Sequence, residues 1–372
     1  MIMKTKIYAM LALAICGGSV MYACKQSVDM MPTELENEKL KIPVDAIAVK
    51  EPAVANGWLN FPSMESFNST MKVLHEKFED PDKLKGWESN FNKKGYTSLR
   101  TFYQQLDADT SEDRREPTAD SLIQSNKLLD CPDSWFATVL SKDGYIQIAD
   151  TVYSFKPGNE KGEAFAIPAR STKEIIAGIA PAAIRGTKIH YTSFRRIPTL
   201  RWGEVGDKTI GEDKLPICFT TGGAMGSFWG QVGEDIYAGD NGDTFPEHNG
   251  RTVKMNYHRW RVGYVFYASA GVRMKMWKHT RFAGWQSVTY ADQMTMEACL
   301  KGRAVTAGSM PYPFTSYTSP SWPGFTKYAE NNFEKTLKWV GSLIFSEIAL
   351  EHFNFHWKLN YRGRIAERTI RQ

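Results

Sequence analysis

Cysteine is scarce in this chain, and its spacing matches neither a metal site nor a disulfide framework. None of the five cysteines lies in a C-x-x-C or C-x-x-H spacing, so a structural zinc site is not expected. Beyond the first 24 residues only Cys131, Cys218 and Cys299 remain, and an odd number allows at most one internal bridge. We expect the fold to depend on its hydrophobic core rather than on disulfides.

A dense run of one charge is missing, and so is a long apolar run beyond the N-terminal residues. The net charge is +5 over 372 residues, and no segment concentrates Lys and Arg as nucleic-acid-binding proteins do. After residue 24, no stretch reaches the roughly 18 apolar residues that indicate a transmembrane helix. Nucleic acid is therefore not an expected partner.

Recognisable catalytic and cofactor motifs are also missing. The chain has no Gly-x-Ser-x-Gly sequence, and the Gly-rich segment 222–227 lacks the Lys-Ser/Thr of a phosphate-binding loop. The acidic segment 235–247 does not have EF-hand spacing and is typical of turns. The sequence predicts no cofactor and no metal, and it leaves open whether the protein is an enzyme.

The first 24 residues have the parts of an export signal that ends at a cysteine. Lys4 and Lys6 precede the apolar run 7–16, and the small residue Ala23 precedes Cys24. Cys24 is the candidate lipidation site, although Met21 and the residue after it depart from the usual lipobox. Ordinary cleavage without a lipid is the alternative. We expect an extracytoplasmic protein, an outer-membrane lipoprotein on the periplasmic side or the cell surface, held to the membrane by its N-terminal lipid.

Four segments are expected along the chain, which together give an α+β fold. They are a lipoprotein signal peptide at 1–23, a flexible tether at 24–57, a helical segment at 58–130 and a β-rich domain at 131–372. The tether is polar and acidic, with too little apolar surface to fold. The β-rich domain is expected to be an antiparallel sheet or a sandwich, because its strands are rich in β-branched and aromatic residues.

Local patterns place several elements within these segments. Ser63 precedes apolar residues at helical spacing up to residue 78, which predicts a capped amphipathic helix. The turn signal at 142–144 predicts a β-hairpin over 145–155. Gly271 is expected to separate two paired strands.

A long irregular loop is expected at 309–324, where four prolines alternate with aromatic residues. Long loops without regular structure are often functional. The candidate ligand-binding residues are Tyr312, Phe314, Tyr317 and Trp322. The alternative is a loop that covers the sheet.

The pair His352 and His356 has the helical spacing of a zinc site, but its surroundings predict a strand. Apolar residues alternate with polar ones from 353 to 361, so the two imidazoles would lie about 13 Å apart on one strand face. That distance is too long for one zinc ion. The strand is expected to have a polar, basic outer face.

A second basic set is expected on solvated strand faces. A positive patch for acidic glycans or phospholipid headgroups is the alternative. Its members are Arg259, Arg261, Arg273, Lys275, Lys278, His279 and Arg281.

Two stretches resemble a family of uncharacterised secreted or lipid-anchored proteins from Bacteroidetes-type bacteria, which carry a domain of unknown function. Trp87-Glu88 with the segment Gly95–Leu99 resembles its helical part, and the segment Asp143–Tyr153 resembles its hairpin. The resemblance extends over residues 58–300. It implies an extracytoplasmic address in a Gram-negative envelope and no particular catalytic residue.

The leading functional hypothesis is a binding module for a glycan or another envelope protein. Export, the abundance of aromatic residues and the lack of catalytic motifs favour it. The alternative is an extracellular hydrolase that acts on carbohydrate or peptide, and a third is a structural envelope component.

Overall fold

Seventeen strands and six α-helices make up the described part of the protein. The computed structural model describes residues 51–372, except 79, 109–117, 158–161, 192–207, 211–215, 220–229, 238–252, 281–283, 287–288, 308, 319–324, 344 and 372. The candidate lipidation site Cys24 lies outside these residues. The described residues belong to one compact unit.

The helices precede most of the strands. They are α1 (Met64–Lys77), α2 (Leu84–Asn92), α3 (Leu99–Asp107), α4 (Ala119–Gln124), α5 (Ser134–Val139) and α6 (Thr172–Ile176). In the described part of the chain, no helix has the length and apolar character needed to cross a membrane.

Sheet I contains six strands in chain order. They are β1 (Ala53–Ala55), β2 (Trp58–Phe61), β3 (Tyr145–Ile148), β4 (Thr151–Phe155), β5 (Glu163–Pro168) and β6 (Lys188–Tyr191). β2 and β3 pair in parallel, and the other neighbours are antiparallel. The predicted hairpin is β3–β4. β1 lies within the range that the sequence predicts to be a flexible tether. Its three residues form a strand there because they pair with β2.

Sheets II and III are antiparallel and form a sandwich. Sheet II contains β8 (Gly230–Tyr237), β9 (Val253–Gly263), β10 (Tyr267–Thr280), β11 (Gly284–Gln286) and β15 (Asn332–Gly341). Sheet III contains β7 (Lys208–Ile210), β12 (Ala291–Thr306), β13 (Tyr312–Thr318), β14 (Thr326–Glu330), β16 (Ser346–Tyr361) and β17 (Arg364–Arg371). The β-rich, antiparallel character predicted from the sequence is confirmed.

Sheet II lies between two hydrophobic cores. Met255 and Met274 pack with sheet III, whereas Trp260 and Val262 pack with the helices and sheet I. Both faces of sheet II are therefore buried. Burial on both faces explains why nearly every residue of β9 is buried, whatever its polarity.

Helix α1 begins where the sequence predicts. The Ser66 amide donates to Ser63 Oγ at 3.2 Å, which caps the first turn. The buried stripe of α1 includes Phe67, whose ring meets the ring of Phe266 edge to face at 5.3 Å. Each such buried apolar side chain stabilises the fold by about 1.5–3 kcal/mol, so this stripe anchors the helix to sheet II.

Gly271 does not separate two strands, as the sequence suggested, but lies inside β10. A Cβ there would approach the Trp260 ring to 2.2 Å, so the glycine is needed where that ring crosses the strand. The actual turn between β9 and β10 is Tyr264–Phe266, in which Val265 has φ 62. A β-branched residue rarely adopts that conformation, so the turn has no sequence signature.

The expected loop at 309–324 is a strand over Tyr312–Thr318. This strand, β13, is an edge strand that pairs only with β12 among the described strands. Pro313 is tolerated because an edge strand leaves one side of its backbone unpaired. Pro313 therefore lies in an edge strand and not in an irregular loop.

The basic residues of β9 are buried, which contradicts the expected solvated face. Arg259 Nη1 donates to the Phe353 carbonyl at 2.6 Å, and Arg261 Nη2 lies 3.3 Å from Glu347 Oε1. Sheet III covers both guanidinium groups. Arg273, Lys275 and Lys278 are half-buried, whereas the side chains of His279 and Arg281 lie outside the described residues.

The final long strand, β16, alternates as predicted on its apolar side, but its polar side is not fully solvated. Asn354 is buried beneath the segment 216–219. Its Nδ2 donates to the carbonyls of Ile217 and Phe219 at 2.7 and 3.1 Å, which satisfies the buried amide. Cys218, between those two residues, forms a disulfide with Cys299 of β12. The segment 216–219 thus covers part of sheet III, and Cys131 remains a buried free thiol.

Candidate functional site

An open groove of about 600 Å³ lies between α1 and the end of β15. α1 supplies one wall and β15 the other, and the ends of β12 and β13 complete the lining. The lining residues are Asn68, Ser69, Lys72, His75, Glu76, Thr306, Tyr312, Lys338, Trp339, Val340 and Gly341. Aromatic, amide, hydroxyl and charged groups therefore meet in one concave surface.

The two walls are held close together at Gly341. Asn68 Nδ2 donates to the Gly341 carbonyl at 3.3 Å. A Cβ at position 341 would lie 2.3 Å from Asn68 Oδ1, so a larger residue there would require the Asn68 side chain to move. This contact fixes one end of the groove.

His75 forms the floor of the groove between two tryptophan rings. Its imidazole stacks on Trp135 at 5.3 Å and on Trp339 at 5.4 Å, and its Nε2 lies 3.3 Å from the Tyr267 hydroxyl. Burial lowers the pKa of His75 to about 4, against a smaller opposite effect of Asp133. The imidazole is therefore neutral near pH 7 and adds no charge to the groove.

A buried polar network supports His75 from behind. The Tyr267 hydroxyl donates to Asp133 Oδ2 at 2.6 Å, and Asp133 Oδ1 accepts from the amides of Trp135 and Phe136 at the start of α5. Ser134 donates from its amide and its hydroxyl to Glu334 of β15, at 2.9 and 2.8 Å. The network ties α5 to sheet II and positions the Trp135 ring that stacks on His75.

Half-buried His75 and buried Glu334 make stability depend on pH in opposite directions. Burial raises the pKa of Glu334 from 4.5 to about 7, so its contribution is present below pH 4.5 and is lost as the pH rises through 7. His75, with its pKa lowered from 6.5 to about 4, contributes stability above pH 6.5 that is lost as the pH falls through 4. Between pH 4.5 and 6.5 the two trends oppose each other.

We expect Glu334→Gln to remove the pH dependence of stability that Glu334 causes and to leave the one that His75 causes. The difference in free energy of unfolding between the wild type and the variant should fall by on the order of 3 kcal/mol from pH 4.5 to 7, since one pKa unit corresponds to about 1.4 kcal/mol. Urea denaturation across this range measures the difference. Parallel stability curves for the two proteins would show that Glu334 does not titrate in this window.

Lys338 and Tyr312 form the rim of the groove opposite the helix. Lys338 Nζ lies 5.4 Å from the centre of the Tyr312 ring and 5.0 Å from that of Phe314. Such distances allow cation–π attraction. Tyr312 remains 44% exposed, so its ring is available to a ligand. On the helix side, Lys72 pairs with Glu76 at 3.8 Å.

Of the four aromatic residues predicted to bind a ligand, the structure places one in the groove lining. Tyr312 lines the groove, and Phe314 is half-buried against the core between sheets II and III. Tyr317 lies outside the lining and donates from its hydroxyl to Glu297 Oε1 at 3.0 Å. Trp322 lies outside the described residues.

His352 and His356 are engaged separately. His352 Nε2 lies 3.6 Å from Cys299 Sγ, and His356 Nδ1 lies 2.8 Å from Thr369 Oγ1. Within the described ranges, no three His, Cys, Asp or Glu residues are grouped to hold a metal ion. The acidic segment 235–247 falls outside the described side chains.

Sequence reasoning missed His75 and Trp339 as groove residues. His75 looked like one polar position on an amphipathic helix, and Trp339 like one aromatic position in a strand. The two meet only because β15 pairs with β10 beneath α1. Helical spacing could have placed Asn68, Lys72 and His75 on neighbouring turns of α1. It could not have shown that this side of α1 faces β15, which lies more than 250 residues later in the chain.

Comparisons with known proteins include a structural likeness at low sequence identity. No protein-family model and no curated protein matches the chain. The chain is similar to the crystal structure of a DUF4848 family protein from Bacteroides thetaiotaomicron, with 12% identity and a TM-score of 0.20, over 87% of this chain and 100% of that one. That name describes a domain of unknown function.

Proposed function

We propose that the groove between α1 and β15 binds a saccharide. The observation that carries this proposal is the exposed ring of Tyr312 in a lining that also presents the Asn68 amide and the Ser69 and Thr306 hydroxyls. Aromatic rings offer flat apolar surface, and a few polar groups around them fix the orientation of a ligand. A sugar ring, with an apolar face and a hydroxyl rim, suits this combination.

Binding is proposed in preference to hydrolysis. Glycoside hydrolases commonly use two carboxylates that flank the scissile bond. In the described lining of the groove, Glu76 is the one carboxylate, and it pairs with Lys72. The groove therefore favours a binding module over the hydrolase alternative.

Replacing Tyr312 by alanine should weaken saccharide binding roughly tenfold or more, which corresponds to about 1.4 kcal/mol. A glycan array with the purified protein identifies a retained oligosaccharide, and calorimetry with that oligosaccharide compares the variants. Tyr317→Ala is the matched control, because Tyr317 lies on the same strand with a similar exposure, 42% against 44%, and outside the groove. Retention of no glycan, or equal binding by both variants, would contradict the proposal.

The extracytoplasmic address and the lipid anchor at Cys24 are a separate proposal. The Cys218–Cys299 disulfide supports the address, because disulfides persist mainly in oxidising compartments. Labelling of growing cells with an alkyne fatty acid should mark the wild-type protein and not Cys24→Ser. Persistent labelling of Cys24→Ser would exclude Cys24 as the attachment site.

A further inference from the structure

Lys338 differs from two other half-buried lysines of the β-sheets, Lys275 and Lys327. Lys275 pairs with Asp107 at 3.5 Å, and Lys327 pairs with Asp80 at 2.9 Å. Among the described residues, no carboxylate lies within ion-pair distance of Lys338 Nζ. Its ammonium instead faces the rings of Tyr312 and Phe314.

This arrangement leaves a partly desolvated positive charge on the wall of the groove. Lys338 is half-buried in this wall, and that burial lowers the pKa of its ammonium. A desolvated charge becomes favourable when an anion pairs with it. Lys72, on the opposite wall, pairs with Glu76, and His75 is neutral, so Lys338 gives the lining its net positive charge.

We propose that the saccharide bound in this groove is acidic, with its carboxylate or sulfate on Lys338 and its ring against Tyr312. The inference rests on the proposed function and names its ligand class. Ammonium–carboxylate and ammonium–sulfate contacts are charge-assisted hydrogen bonds, which are stronger than neutral ones. Because the ammonium lies beside the Tyr312 ring, one sugar residue is long enough to make both contacts.

Pairs of probes that differ only in one acidic group test the ligand class. Sialyllactose is compared with its neutral methyl ester, and a neutral disaccharide with its O-sulfated form, by calorimetry on the purified protein. We expect at least one acidic member to bind tenfold or more tightly than its neutral counterpart, with affinity that falls as salt is raised. The two pairs separate carboxylate from sulfate as the preferred group.

Variants at Lys338 test the residue. Lys338→Met keeps an apolar stem and should abolish the preference for the acidic probe, whereas Lys338→Arg should retain it. Lys335→Met is the matched control, because Lys335 lies on the same strand outside the groove lining. Unchanged thermal denaturation of Lys338→Met confirms that the variant is folded.

Different outcomes overturn different proposals. If neutral and acidic probes bind equally, or if Lys338→Met keeps the preference, the acidic ligand is ruled out while saccharide binding stands. If none of these probes and no oligosaccharide on the array binds, both proposals fall.

Discussion

Replacing Arg100 by methionine should destabilise the protein by about 3–5 kcal/mol, because it leaves a carboxylate buried without its partner. Arg100 Nη1 lies 3.4 Å from Glu88 Oε2, and both side chains are almost fully buried between α2 and α3. Ser98, the N-cap of α3, donates to the other oxygen of Glu88, and Arg100 donates to the Pro81 carbonyl. Removing the guanidinium therefore disturbs three segments at once.

The double variant Glu88→Gln/Arg100→Met separates the loss of a partner from the loss of packing. Burial raises the pKa of Glu88, and Arg100 opposes that rise, so Glu88 alone would take up a proton or remain as an uncompensated charge. We expect the double variant to be more stable than Arg100→Met. Urea denaturation measures both, with Lys358→Met as the control.

The control removes an ion pair of ordinary length at the surface. Lys358 lies 3.4 Å from Glu367, with side chains 47% and 44% exposed. Such a pair contributes about 0–1 kcal/mol. A loss for Arg100→Met as small as that of Lys358→Met, or no recovery in the double variant, would refute the account of the Glu88–Arg100 pair.

Removing the Cys218–Cys299 disulfide should cost about 4 kcal/mol. The bridge closes a loop with a sequence separation of 81, and its removal restores the conformational freedom of that loop in the unfolded chain. The Cys218→Ser/Cys299→Ser variant avoids a new free thiol. Its denaturation midpoint should fall, and a reducing agent should lower the wild-type midpoint by a similar amount while leaving the variant unchanged.

Two hydrogen-bonding side chains also hold the segment that the disulfide links to β12. Asn354 and Arg371 hold the carbonyls on either side of Cys218, with Arg371 Nη1 2.8 Å from the Phe219 oxygen. If these contacts alone held the segment 216–219 in place, the reduced and oxidised wild-type proteins would unfold at the same denaturant concentration. A difference between them measures the contribution of the covalent link.

Local patterns in the sequence predicted the elements whose stability is local. The Ser63 cap and the apolar spacing of α1 are present, and so are the β3–β4 hairpin and the alternation of β16. Each of these follows from residues close to one another in the chain. Their physical signals, a cap, a turn and a period, therefore appear in short windows.

What sequence reasoning missed depends on contacts between distant segments. Arg259 is buried because sheet III covers it, and Pro313 is in a strand because that strand is an edge. The Tyr264–Phe266 turn lacks turn residues, and the surrounding fold holds Val265 at φ 62. In the candidate site, Tyr312 was predicted because it lies in the proline- and aromatic-rich segment 309–324. His75 and Trp339 could be recognised as groove residues only from the tertiary structure.

The distance along the chain between α1 and sheet II has a consequence for synthesis. Phe67 rests on Phe266 and Tyr267, about 200 residues later. At about 5–20 residues per second, a ribosome needs roughly 10–40 s to add that stretch. During this time α1 can pack on Phe61 of β2 but lacks its contacts with Phe266 and Tyr267. Because β15 is made later still, the groove between α1 and β15 can form only after about 260 further residues have followed the helix.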